Sequence, residues 1–163
     1  MNLTHLHLLI NHVAAVGAFL GIIVLVFAIR SKSSSTYYAA YMVLIIAAVG
    51  AVIAYSTGES AEESVEGIVG VTESTIELHE DSAPYALGSF ILLGVLSLVG
   101  VYLTYKKESM QPKWNIFILV VGLISFIAVS RTAWLGGEIR HTEISSDTAV
   151  SQGTLEAEED DDD

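Results

Sequence analysis

The chain has 163 residues and a net charge of −12 at pH 7, and 52% of its residues are hydrophobic against 16% that are charged. This length leaves room for one domain, and the mean hydropathy of +0.57 excludes a water-soluble domain. Nucleic acid is excluded as a partner because the sequence provides no basic face, and the absence of cysteine excludes disulfides, thiolate ligands and covalent c-type haem attachment.

Four apolar segments follow one another along the chain, and none contains Lys or Arg: His12 to Ile29, Tyr37 to Tyr55, Ser82 to Tyr105, and Trp114 to Ser130. A helix crosses a bilayer with about 20 predominantly apolar residues, a length that each segment reaches with its flanks. The first segment lacks the basic start and the small-residue cleavage site of a signal peptide. The sequence therefore predicts an all-α bundle of four transmembrane helices embedded in a lipid bilayer. It forms one domain, 1–145, with spans of about 6–29, 37–55, 83–105 and 114–135.

Histidines and glycines mark the first span. His5 and His12 are seven residues apart and share one helix face, whereas His7 lies off that face. Gly17 and Gly21 form a small-residue pair that allows a neighbouring helix to approach closely. Helix packing is the ordinary explanation of these glycines.

The segment between the second and third spans, Thr57 to Tyr85, holds eight acidic residues and no Lys or Arg. On a helix, four glutamates at spacings of three, four and seven would share one face: Glu59, Glu62, Glu63 and Glu66. Like charges at these spacings repel, so the stripe favours water, protons or cations. The segment predicts an outward-facing acidic helical insert over 57–82. A solvated face is its ordinary explanation, and a set of metal ligands is the alternative.

The glycines Gly67 and Gly70 are expected to break the insert. After them a second acidic stripe runs beside a more apolar one: Glu73, Glu77 and Glu80 against Thr72, Ile76, His79 and Ala83. His79 is therefore expected to face other helices rather than solvent. The third helix is expected to begin near Thr72 and to contain Pro84. A proline inside a helix removes one backbone hydrogen bond, which predicts a kink or a break there.

An acidic tail ends the chain. Gly136 to His141 follows the fourth span, and the last residues are Glu156-Ala157-Glu158-Glu159 and four Asp. A block of like charges repels itself, which predicts a disordered tail over 146–163.

Positive charges are distributed unequally between the two sides of the predicted bundle. The loops after the first and third helices carry five of them: Arg30, Lys32, Lys106, Lys107 and Lys113. The opposite side carries Arg131 and Arg140. The positive-inside rule predicts that the side with five cations is cytoplasmic. Both termini, the insert and all five histidines then lie on the periplasmic side of a bacterial inner membrane.

Three predicted helices bring histidines toward that outer end: His12, His79 and His141. Ionisable side chains on membrane helices are costly and therefore indicate function. Carboxylates that accompany them in the sequence are Glu59, Glu62, Glu63, Glu80 and Glu138. Helical bundles build metal and cofactor sites from facing side chains of this kind, so these eight residues form the predicted site. The alternative is an interfacial histidine that only bonds backbone or headgroups, which is favoured for His5 and His7.

One ligand that fits is a b-type haem with two axial histidines. Arg131 and Arg140 would pair with its propionates. At about 1.5 Å per residue, however, His12 and His79 differ in depth by roughly 10 Å, whereas axial ligands of one haem lie nearly level.

The other ligand is a transition-metal ion, such as iron, copper, zinc or manganese, held by imidazole and carboxylate groups. Two pairs of residues have chelating spacings on a helix, namely Glu59 with Glu63 and Glu138 with His141. No motif selects one metal.

Three stretches resemble a family of small bacterial four-helix membrane proteins known only as a domain of unknown function: LLINHVAAVGAFLG, TGESAEESVEGIVGVTESTIELHEDSA and RTAWLGGEIRHTEI. They include His12, the TGE, AEE and HE groups of the insert, and Gly136 to His141, and they cover most of the chain apart from the tail. Related families occur joined to cytochrome c or Rieske modules, which implies a role in membrane electron transfer. Pro84 and Val13-Ala14 depart from the family pattern, which often has Phe-Pro after the first histidine.

The sequence thus predicts a membrane protein that binds a transition metal or haem b at an extracytoplasmic His/Glu site in redox or electron-transfer chemistry. Its expected partners are subunits of a redox membrane complex or a periplasmic cytochrome. The sequence names no reaction, so an enzymatic activity is left open. The alternative is a non-catalytic accessory or scaffold subunit of a larger membrane complex. A proton or cation path from the glutamate stripe is less favoured, because Ser89 and Ser97 offer little polarity along the bilayer.

Overall fold

The computed structural model describes residues 2–107 and 111–140, and in this part of the chain the regular structure is helical. Its five helices are α1 (Leu3–Ser31), α2 (Ser34–Ser56), α3 (Gly58–Glu62), α4 (Glu73–Lys106) and α5 (Gln111–Arg140). All except α3 are long and apolar enough to cross a membrane. The prediction of an all-helical protein with four candidate membrane spans is therefore confirmed.

Local side-chain and backbone signals set where the long helices begin and end. Asn2, Ser33 and Thr72 each accept a hydrogen bond from a backbone N–H in the first turn of the helix that follows. Lys32 and Lys107 end α1 and α4 in the left-handed conformation, with φ of 53° and 55°. The connection from α1 to α2 is therefore very short, which makes the two helices antiparallel neighbours.

The four long helices form a closed ring. Going round the bundle, α1 contacts α2, α2 contacts α4, α4 contacts α5, and α5 contacts α1. Neighbours in this ring run in opposite directions, so α1 and α4 lie diagonally across the bundle. This arrangement is the up-down-up-down topology of a four-helix bundle.

Small residues allow the helices to approach closely. A Cβ atom added to Gly17 would lie 2.9 Å from the Cβ of Ala47, and one added to Gly94 would lie 2.8 Å from the Cβ of Ala48. Close approach of this kind is the principal source of helix association in lipid, where apolar side chains gain little by leaving the solvent. Large apolar side chains such as Phe27 and Ile127 face outward instead.

The helices are longer than the predicted spans, and the insert is interrupted at the predicted glycine break. Helix covers Gly58–Glu62 and resumes at Glu73, and residues between them form turns. Gly67 and Gly70 have positive φ angles of 73° and 88°, which interrupt a right-handed helix. Glu66 therefore lies beyond the end of α3, and the predicted four-glutamate stripe is not carried by one helix.

Two further expectations concern α4 and the end of the chain. The helix begins after Thr72, as the sequence indicates, and it continues through Pro84 without a break. His141 and the predicted tail, 146–163, lie outside the described residues.

Candidate functional site

The two ends of the bundle differ in chemistry. One end, called here the acid end, is formed by the start of α1, by α3, by the start of α4 and by the last turns of α5. The other end, called the basic end, carries the five cations at the ends of α1 and α4 and at the start of α5. The described histidines, His5, His7, His12 and His79, all lie toward the acid end.

The imidazole of His79, a residue of α4, packs against α5. Its Nδ1 lies 2.9 Å from the backbone oxygen of Thr132. A carbonyl oxygen only accepts, so Nδ1 carries the proton, and Nε2 of the neutral ring has a free lone pair. Gly136 makes room for the ring, because an added Cβ would lie 3.0 Å from its Cε1.

Hydroxyl groups fix the surroundings of this ring. The Oγ of Ser82 donates toward the backbone oxygen of His79 at 2.8 Å and lies 3.0 Å from the Oγ1 of Thr132. Ser82 is itself buried. These bonds join α4 to α5 at the level of the imidazole and leave the ring little freedom to turn.

His7 has the same arrangement on α1. Its Nδ1 lies 2.9 Å from the backbone oxygen of Ala54, at the end of α2, and 3.4 Å from the Oγ1 of Thr57. The ring is half-buried, and its Nε2 has a free lone pair for the same reason as in His79. His7 and His79 lie within range of charge–charge interaction, so that two charged rings would repel each other. The structure therefore turns one imidazole of α1 and one of α4 inward at the acid end.

A pair of carboxyl groups links α3 to α4. A side-chain hydrogen bond to Glu80 raises the pKa of Glu62 from its ordinary 4.5 to about 7, with partial desolvation and the charges of Glu80, Glu66 and Glu59 acting in the same direction. Two carboxylates hydrogen-bond to each other only when they share a proton, so the pair holds one below about pH 7. On its other side α3 is held by the Oγ1 of Thr4, which donates to the backbone oxygen of Ser60 at 3.1 Å.

The remaining predicted site residues are exposed, lie at a helix end or bond within their own helix. His12 is exposed, and its Nδ1 lies 2.8 Å from the backbone oxygen of Leu8 in its own helix. Glu59, Glu63 and Arg131 are exposed, and Arg140 is the last residue of α5. Oε1 of Glu138 accepts a hydrogen bond of 3.0 Å from the indole of Trp134.

His7 and His79 do not belong to a larger ligand cluster in the described structure. Among residues 2–107 and 111–140, no three His, Asp or Glu side chains lie together in a way that could hold one metal ion. His141, the third predicted histidine, lies outside these residues.

The sequence also indicates that His7 faces inward, although the seven-residue spacing of His5 and His12 points to a different face of α1. The buried face of α1 is Ala14, Ala18, Gly21, Leu25 and Ala28. Continued toward the N-terminus at three or four residues a step, this face reaches Asn11 and then His7. His12 follows Asn11 by one residue and so turns away from the bundle. The small-residue face therefore identifies the inward histidine.

Comparison of the chain with protein-family models, with curated proteins and with solved structures gives no match. The resemblance to a family of four-helix membrane proteins therefore stays a prediction.

Proposed function

We propose that this protein is a multi-pass protein of the bacterial cytoplasmic membrane that binds a transition-metal ion at the acid end, between His7 and His79. One observation carries the proposal: both imidazoles hold their Nδ1–H on a backbone carbonyl of a neighbouring helix. Metal-binding histidines almost always donate their second ring N–H in this way, because it fixes the tautomer and the ring orientation. Nε2 is then the donor to the metal.

The donor set suits imidazole-binding metals such as zinc, copper, iron or nickel. His7 and His79 would hold the ion, and Glu80 is the carboxylate that interacts electrostatically with His79. Asn11 adds support, because its Oδ1 is buried with no hydrogen-bond partner among the described residues and lies one turn from His7 on the same face. A buried acceptor of this kind requires a donor, which a metal-bound water would supply.

A metal ion fits the acid end better than a haem does. His79 lies directly against Gly136 of α5, where even one added methyl carbon would come within 3.0 Å of the ring. The close contact of α4 with α5 at this level leaves no room for a porphyrin on that side of the His79 ring. Where haem b is nevertheless bound, Arg131 and Arg140 are the cations at this end for its propionates.

The distribution of cations supports an orientation with the acid end outside the cell. Five cations lie at the basic end and the positive-inside rule assigns that end to the cytoplasm. A redox-active ion at the acid end would then exchange electrons with neighbouring subunits of a redox membrane complex or with a periplasmic cytochrome.

Elemental analysis of the purified protein tests the proposal, together with absorption spectra in the oxidised and reduced states. We expect stoichiometric metal in the wild type and in His12→Ala, and loss of most of it in His7→Ala and His79→Ala. His12→Ala is the matched control because its ring is exposed and bonded within its own helix.

Other outcomes would replace the proposal with a different function. Metal that persists in both inward variants contradicts the site. A Soret band that disappears with His79→Ala identifies haem. A folded protein with neither signal favours the alternative function, an accessory or scaffold subunit of a larger membrane complex.

A further inference from the structure

The turn between α3 and α4 presents two aliphatic side chains to water. Val69 is 100% exposed and Ile68 is 39% exposed. They lie outside the four long helices, so lipid does not account for their exposure. Leu78, on the first turns of α4, is a further exposed aliphatic side chain near this end.

The turn has a defined conformation. The N–H of Val71 donates to the backbone oxygen of Ile68 at 3.1 Å, and the N–H of Ile68 donates to that of Val65 at 3.2 Å. Gly70 is the third residue of the turn from Ile68 to Val71, and its φ of 88° is the value that a type II turn requires there. Polar residues and proline usually occupy the exposed corner of such turns, so a valine there has no local structural cause.

Ile68 and Val69, called here the apolar tip, have acidic residues on both sides in the chain. Glu66 lies two residues before Ile68, Glu73 begins α4, and both are exposed. Between Thr57 and Tyr85 there are eight acidic residues and no Lys or Arg. An acidic surface is repelled by anionic lipid headgroups and attracts a basic surface, which decides between a membrane and a protein as the occupant.

We propose that Ile68 and Val69 form the apolar centre of a docking surface for a soluble protein whose binding face carries Lys and Arg side chains around an apolar recess. The tip supplies the small desolvated centre that dominates the affinity of an interface. The flanking glutamates supply the charged rim, which accelerates association and selects the partner. This surface does not depend on metal binding at His7 and His79.

Photo-crosslinking in native membranes tests the proposal on the full-length chain, with benzoylphenylalanine at Val69 as the probe. We expect an adduct with a soluble protein of positive net charge. The yield should fall about tenfold in about 1 M NaCl, where the Debye length is about 3 Å. It should also fall in a Glu66→Lys background. Benzoylphenylalanine at Leu92, an exposed position inside the membrane span of α4, is the control and should not capture this protein.

The captured protein is then purified and its Kd for the chain in lipid nanodiscs is measured. Val69→Ser should weaken binding about tenfold, because it removes an apolar contact at the centre of the interface. This variant cannot fail through misfolding of the core, since Val69 contacts solvent on all sides. Adducts only with lipid, with a second copy or with an acidic protein overturn the proposal, and so do the absence of a protein adduct and an unchanged Kd.

Discussion

At the residue scale, the position of the His79 ring depends on the absence of a side chain at Gly136. Gly136 allows His79 to lie against α5, whereas its neighbour Gly137 has nothing within 4 Å of an added Cβ. Two adjacent glycines in one helix therefore have different roles. Gly136 makes room for the imidazole, whereas Gly137 faces open space.

This difference gives a matched pair of variants. Gly136→Ala should displace the His79 ring, because the new Cβ would come within 3.0 Å of Cε1 and 3.1 Å of Nδ1. We expect metal affinity to fall about tenfold or more, as it does when a group that orients a metal-bound histidine is lost. Competition with a chelating dye measures the affinity, and circular dichroism checks the helix content.

Gly137→Ala is the control and should bind metal as the wild type does. Equal losses in the two variants would show that the glycines act through helix flexibility and not through the histidine.

At the scale of elements, α3 is a short helix held in place by side chains rather than by its own length. A helix of this length is unstable alone, so its position depends on Thr4 and on the carboxyl pair of Glu62 with Glu80. The pair joins residues that are far apart in the chain, and it holds only while it shares a proton.

Stability should therefore depend on pH in a defined direction. The pKa of Glu62 is about 7 in the folded protein against an ordinary 4.5, so the folded state binds its proton more tightly. The stabilisation is complete below about pH 4.5 and is lost as the pH rises through about 7. We expect the melting temperature of the detergent-solubilised protein to fall between pH 5 and pH 8, as followed by differential scanning fluorimetry.

Replacing Glu62 by glutamine keeps a hydrogen-bond donor to Glu80 but removes the proton that titrates. Glu62→Gln donates to Glu80 through its amide at any pH, so its melting temperature should depend less on pH. Glu77→Gln is the control, because Glu77 is exposed and takes no part in the pair. A wild-type melting temperature that rises over this range would contradict the shared proton.

For the whole molecule, the separation of charges between the two ends predicts its orientation in the membrane. The natural absence of cysteine allows one introduced thiol to report on each end. Ser64→Cys lies in the exposed turn after α3, and Ser34→Cys lies at the start of α2, at the basic end. In intact cells, a membrane-impermeant maleimide should label the first variant and should label the second only after permeabilisation. The reverse pattern would place both the histidine pair and the docking surface in the cytoplasm.

The candidate site was predictable only in part. His79 was identified by its place on the apolar stripe of α4, and the structure shows it half-buried beside Ile76. For His7 the sequence favours an interfacial histidine bonded to backbone or headgroups, and the structure shows that backbone bond, to Ala54, on a half-buried ring. The bond between Glu62 and Glu80 has no sequence signal, since it depends on how the turns at Gly67 and Gly70 return the chain.

The sequence by itself determined the four apolar helices, their approximate limits and the unequal charge of the two ends. These properties follow from residues that are near one another in the chain: the length of an apolar segment, a capping side chain, a count of cations. Tertiary structure alone decided which face of each helix turns inward, and with it which histidines face the bundle. Rotation about a helix axis costs little within one segment, and it is fixed only when the small residues of one helix fit against those of another.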